Sequence, residues 1–163
     1  MTRPSPLEPG SKAPVFSLLN QDGRPVALGD FAGRWLVLYF YPRDNTPGCT
    51  KEACEFTSAL KDFETLGASV VGVSPDSPES HKRFIQKHAL GIELLSDPDH
   101  KVAAAYGAWG PKTMYGKLRE GIIRSTVLID PQGRIAAHWP AVKVNGHVEQ
   151  VRARLKELKG SAD

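Results

Sequence analysis

Both cysteines of this 163-residue chain, the residues best suited to chemistry, fall within the stretch YPRDNTPGCTKEAC at residues 41–54. The phasing of that stretch makes Thr46 the N-cap of a helix, with Pro47 at its first position, where a missing amide hydrogen costs nothing. Cys49 then stands at the third helical position, where helices commonly place a Glu or Gln that accepts from the N-cap amide. A thiolate suits that position, because the unpaired amides and the positive end of the helix dipole favour an anion there. A free thiol is about 3% ionised at neutral pH, so full ionisation adds only about 30-fold in reactive species. Fast chemistry at Cys49 therefore also needs hydrogen-bond donors for the charge that develops on a leaving group. The competing reading is a buried, inert thiol. Free cysteines are among the most buried residues, and Cys49 belongs to the apolar stripe Cys49, Ala53, Phe56, Leu60, Phe63.

Cys54 shifts the balance toward chemistry. In an intact helix, a five-residue separation places two Cα atoms roughly 8 to 9 Å apart and turns them about 140° from each other. Disulfides close over Cα separations below roughly 7 Å, so Cys49 and Cys54 can pair only if the first turn or two of the helix unravels. The spacing differs from the C-x-x-C of thioredoxin-type reductases and suggests a disulfide formed after chemistry at Cys49. A zinc site is the poorer reading, because the five histidines are scattered and supply no further ligands at metal-binding spacing.

The elements that must position these thiols follow from hydrophobic periodicity. Residues 16–28, FSLLNQDGRPVAL, predict a hairpin turning at Asp22-Gly23. The run from Trp35 to Tyr41 predicts a strand buried on both faces and ended by Pro42. The cysteine helix should run to near Gly67. After it come a strand at 69–74, a helix at 77–90 capped by Ser77, a short strand at 92–97 and a brief helix at 99–107. Residues 108–120 are expected to be a loop, IIRSTVLID at 122–130 one strand, IAAHWP at 135–140 another, and the chain from about His147 to Lys159 a closing amphipathic helix. Alternating strands and helices of this kind predict an α/β layer fold with a largely parallel sheet, and the cysteines lie at the carboxyl end of its probable central strand. The three tryptophans are expected to pack in the core and loops.

Composition narrows the class. With 40% hydrophobic and 24% charged residues over 163 positions, the chain can bury one sizeable core and is expected to be a single domain spanning 1–163. A net charge of +3 spread along the chain supports neither a nucleic-acid stripe nor a membrane anchor. The N-terminal residues lack the apolar run of a signal peptide, so a cytoplasmic protein with no membrane partner is expected. Two close cysteines in such a protein point to redox or catalytic work rather than stapling.

These residues also carry a family resemblance. PRDNTPGC, Pro42 to Cys49, resembles the P-x-x-x-(T/S)-x-x-C active-site pattern of peroxiredoxins, and a second cysteine five residues on resembles the bacterioferritin-comigratory, or Q-type, subfamily. The likeness extends through SVVGVSPDSPESHKRF, MYGK, GIIRSTVLID and KVNGHVEQV, covering roughly residues 8 to 159. It implies a thioredoxin-like fold, with a central mixed sheet flanked by helices and an added N-terminal hairpin. It also implies a thiol peroxidase acting on hydrogen peroxide and organic hydroperoxides without metal or other cofactor, as a monomer. Under the resemblance Cys49 is the peroxidatic residue and Cys54 the resolving one, joined in an intramolecular disulfide that thioredoxin or a similar dithiol reopens. Thr46 would set its hydroxyl on the thiolate and the incoming peroxide, and Pro42 would shape and shield the turn. Arg124 interrupts an apolar strand, and a guanidinium there needs an anionic partner, which a thiolate would supply. Glu52 orients that arginine in the resembling proteins, but a first-turn glutamate is also what any helix dipole favours, and it is left outside the core site. The rival functions are a thiol-disulfide oxidoreductase on the same fold and an interaction domain with inert cysteines. A peroxidase in which Cys54 has no resolving role is the narrower alternative.

Overall fold

The structure, a computed structural model, describes residue 4 and residues 6–162; residues 1–3, 5 and 163 lie outside it. The predicted hairpin forms from β1 (Ser17–Asn20) and β2 (Pro25–Ala27). Its turn is built by side-chain capping: Asn20 Oδ1 accepts from the amides of Asp22 at 2.9 Å and Arg24 at 3.0 Å, while Gly23 takes φ +72°. A 3-10 turn at Leu28–Phe31 leads into β3 (Trp35–Phe40), α1 (Pro47–Thr65), β4 (Ala68–Ser74), α2 (Pro78–His88) and β5 (Glu93–Ser96). Then come α3 (Lys101–Ala105), β6 (Trp109–Met114), β7 (Lys117–Ile122), β8 (Ser125–Ile129), β9 (Ile135–Trp139) and α4 (His147–Ala162).

Seven strands make one mixed sheet in the order β2-β1-β5-β4-β3-β8-β9. The central β5-β4-β3 pairings are parallel, because α1 and α2 serve as crossovers, whereas β1, β8 and β9 join antiparallel to their neighbours. The two faces of β3 part its side chains by period two. Val37, Tyr39 and Tyr41 pack with Cys49, Phe56 and Phe63 of α1, Phe84 of α2 and Leu155 of α4. Leu36, Leu38 and Phe40 pack on the opposite face with Phe16, Ala103 and Tyr106. Gly72 of β4 makes the first of these layers possible, since a Cβ there would lie 2.7 Å from the Tyr39 ring, which stacks on Phe56 at 4.7 Å.

Three expectations are overturned. The sheet is not largely parallel: only β3-β4 and β4-β5 pair that way, because the hairpins at either side join antiparallel. Residues 108–120 do not form a loop. They build most of the separate two-stranded sheet β6-β7, turning at Tyr115 (φ +52°) and Gly116 (φ +76°) as a type I′ hairpin does. IIRSTVLID is not one strand either: β7 ends at Ile122 and β8 begins at Ser125, so Ile123 and Arg124 lie in the gap. No helix among the described residues is long and apolar enough to cross a membrane.

Candidate active site

The sulfur of Cys49 sits where three elements meet. β3 runs up the middle of the sheet, the connection Pro42–Thr46 turns the chain, and α1 starts with Pro47 at its first position, leaving Cys49 at its third as the phasing predicts. Cys49 is 1% exposed and Cys54, still on the intact helix, is half-buried; both are free thiols. The third element is the β7–β8 gap, which aims Arg124 at the helix start. Its Nη2 donates to Cys49 Sγ at 3.2 Å and its Nη1 to Glu52 Oε1 at 2.7 Å. Arg124 is held from behind as well, its carbonyl accepting from the Val142 amide at 2.9 Å.

This fork explains why a charge can stand here. The Arg124 side chain is 17% exposed and that of Glu52 0%, so the guanidinium needs its two anionic neighbours. Burial alone would push the guanidinium down, but the charges of Glu52 and Cys49 outweigh it and hold it above its ordinary value. Burial likewise pushes the Glu52 carboxyl from 4.5 up to about 7, with Arg124 opposing, and its Oε2 makes no hydrogen bond. Beside the cluster, burial and the Arg124 charge push His147 from 6.5 down to about 4; its neutral Nε2 lies 2.7 Å from the Thr126 hydroxyl. One cation thus faces both a sulfur and a carboxylate, bonding each through a different nitrogen.

The residues singled out from the sequence are placed as follows. Arg124 and Cys49 are in contact. Thr46 caps α1 by position only: its Oγ1 donates to the Arg43 carbonyl at 2.9 Å, and no cap bond to the helix amides forms. Pro42 is half-buried in the turn after β3, which ends at Phe40. Glu52 belongs to the site more firmly than a first-turn glutamate would. The signal was its place three residues after Cys49, on the same helix face. Gly48 was not singled out, yet a Cβ there would lie 3.3 Å from Arg124 Nη2, so a bare backbone is what lets the guanidinium reach the sulfur. A pocket of about 530 Å³ opens beside Arg124, lined by Pro111, Lys112, Ile123, Pro140 and Val142 among others. Lys112, whose Nζ donates to the Ile122 carbonyl at 2.6 Å, adds a second cation on that wall.

Comparison with known proteins gives the family. The AhpC/TSA family matches residues 9–138. The chain belongs to that family. Peroxiredoxin Bcp of Bacillus subtilis is 47% identical over 152 residues, which is 93% of this chain and 97% of the relative; Peroxiredoxin Bcp of Escherichia coli is 42% identical, over 94% and 98%. Among solved structures, the bacterioferritin comigratory protein of Xanthomonas campestris, studied for its alkyl peroxide reduction, superposes with a TM-score of 0.86. It shares 40% identity, covering 92% of this chain and 98% of that one. The chain is therefore a peroxiredoxin of the Q-type subfamily with the thioredoxin-like fold, and an enzyme of the peroxidase class.

The topology also collects a second polar group the scattered histidine spacing did not reveal. Side-chain atoms of Asp44, Asp76 and His81 lie within 4.8 Å of one another. Asp44 Oδ1 accepts from Tyr41 Oη at 2.6 Å, while its Oδ2 meets Ser80 Oγ and His81 Nδ1, each at 2.8 Å. Asp76 Oδ2 accepts from the Asp44 amide at 2.8 Å and from Ser74 Oγ at 2.7 Å. His81 Nε2 donates to the Leu95 carbonyl at 2.9 Å. These atoms already satisfy one another, which argues against a metal role. Burial pushes the Asp44 carboxyl up, but the bond and charge of His81 with the Tyr41 and Ser80 hydroxyls hold it below the ordinary range.

Proposed function

We propose that the Cys49 thiolate attacks one oxygen of hydrogen peroxide or an organic hydroperoxide, breaking the O–O bond. The sulfur becomes a sulfenic acid, and the other oxygen leaves as hydroxide or alkoxide and takes a proton to become water or alcohol. Arg124 supports this reading more than any other observation, because a guanidinium 3.2 Å from the sulfur can hold both the thiolate and the charge that develops on the departing oxygen. Thr46, whose hydroxyl proton is given to Arg43, keeps lone pairs that can accept from the hydroperoxide O–H, and Pro42 shields the turn from water. Lining by Pro111, Ile123, Pro140 and Val142 makes room for an organic substituent.

Cys54 then attacks the sulfenic sulfur, expelling water and forming a disulfide, and an outside dithiol such as thioredoxin restores both thiols. The helix spacing requires the first turns of α1 to unwind for this step. The subfamily resemblance favours a cytoplasmic monomer. The reading is tested by the intact mass of reduced protein after one equivalent of hydrogen peroxide, with and without thiol blocking. A loss of two hydrogens with both thiols gone is expected. A gain of oxygen without a disulfide removes Cys54 from the cycle, and an unreacted protein overturns the peroxidase. Thioredoxin-coupled turnover and analytical ultracentrifugation check the reductant and the monomer.

A further inference from the structure

We propose that the buried Asp44–His81 pair is the fixed hinge of the segment that opens for Cys49 to reach Cys54, and that it stays closed while α1 unwinds. The proposal rests on the Cys49–Cys54 disulfide read above and adds which residues bound the movement.

At the far end of the segment the boundary is apolar: Ala53 and Phe56 of α1 are both fully buried. At the near end the chain lies open. In the connection Pro42–Thr46, Asp44 is the one buried residue, Pro42 and Thr46 being half-buried and Arg43 and Asn45 exposed. Asp44 is tied to four places at once. Its amide donates to Asp76, and its carboxylate accepts from Tyr41, Ser80 and His81, so the residue just after β3, the β4–α2 connection and α2 all hold it. His81 carries the tie on to β5 through the Leu95 carbonyl. Both ring nitrogens of His81 face oxygen acceptors, and the side chains of the pair are 0% and 2% exposed. Breaking the contact would leave buried hydrogen-bonding groups of both side chains unsatisfied and out of reach of water.

Chain length allows this hinge to stay shut. A helical residue advances 1.5 Å and an extended one roughly 3.3 Å, so unwinding the turns between Thr46 and Ala53 creates slack. A segment held at both ends can then bulge outward and carry Cys49 off Arg124 without moving Asp44. The pair does not touch the sulfur; Asp44 and His81 are positioning residues that keep the β3 end and α2 assembled for the return to the reduced site.

Amide hydrogen exchange separates this from opening that spreads through the loop. In wild-type protein oxidised with one equivalent of hydrogen peroxide, the amides from Thr50 to Ala53 should exchange at least about a hundredfold faster than in the reduced protein. The Asp44 amide, bonded to Asp76, should change by less than about threefold. In oxidised Ser80→Ala and His81→Gln the Asp44 amide should lose at least about tenfold protection, while amides of β3 keep theirs. If the Asp44 amide opens together with Thr50 in oxidised wild type, the hinge is overturned. Reduced wild-type protein tests the hinge without the disulfide: Thr50 should exchange by a local opening, and Asp44 at the slow rate of Val37. A protein that forms no disulfide yet shows this contrast loses the two-cysteine cycle and keeps the hinge, whereas equal exchange at Thr50 and Asp44 removes the hinge.

Discussion

At the scale of single residues, the site depends on one side chain meeting two anions. A guanidinium can bond Glu52 and Cys49 through different nitrogens, whereas an ammonium is a single point that must choose. Arg124→Lys should therefore fold and lower the second-order rate with hydrogen peroxide by about 10- to 100-fold, the worth of one charge-assisted hydrogen bond. A rate within twofold of wild type in stopped-flow measurements would count against the fork. Glu52 and His147 make opposite contributions to pH-dependent stability. The Glu52 contribution is complete below 4.5 and lost as pH rises through about 7, because the folded chain holds that proton more tightly. The His147 contribution is complete above 6.5 and lost as pH falls through about 4. Glu52→Gln removes the first and leaves the second. Urea-unfolding stability of that variant should then rise with pH between 4.5 and 6.5 by up to about 1.4 kcal/mol per unit. A slope equal to the wild type's would show that Glu52 does not titrate in this window. The place of Cys49 at the third position of α1 was legible in the sequence from helix phasing alone. Glu52 was only half legible: the sequence suggests a first-turn glutamate serving the helix dipole, whereas it stands at the sixth helical position, and its burial depends on where β8 lies.

At the scale of elements, local chemistry announced itself wherever a turn or cap needed a particular residue. The Asp22-Gly23 turn, the Ser77 cap and the proline that opens α1 all stand where they were expected. The β6-β7 hairpin was hidden because Gly110, Pro111, Lys112 and Gly116 imitate a loop, and its pairing shows only in register across the strands. Trp109, within it, stacks on His100 at 3.7 Å and donates to Glu120 at 3.0 Å. The break at Ile123-Arg124 was likewise masked, since Ile122 before it and the run Val127 to Ile129 shortly after read as one apolar strand. Gly72 marks where two elements approach most closely. Gly72→Ala should cost about 1–3 kcal/mol by pushing Tyr39 off Phe56, read as a lower urea midpoint. An unchanged midpoint would mean that the Tyr39 ring can shift at no cost.

At the scale of the whole molecule, the order of strands was less legible than their existence, since periodicity does not say that β8 inserts beside β3 or that β1 lies against β5. That insertion has a consequence for when the sulfur becomes reactive. Arg124 stands 75 residues after Cys49 in the chain and reaches it only once β8 has paired with β3. During synthesis both cysteines leave the ribosome well before the arginine. On the proposed mechanism a growing chain therefore carries two thiols slow toward peroxide, and acquires its sensitivity in the step that completes the sheet. The same coupling makes peroxide reactivity a report on folding: across a urea series, the fast reaction of Cys49 should vanish along the same curve as the far-ultraviolet circular dichroism. Fast reaction persisting in the unfolded chain would show that the helix start alone activates the thiol. Oxidant stress during translation would thus be sensed by finished molecules and pass over nascent ones.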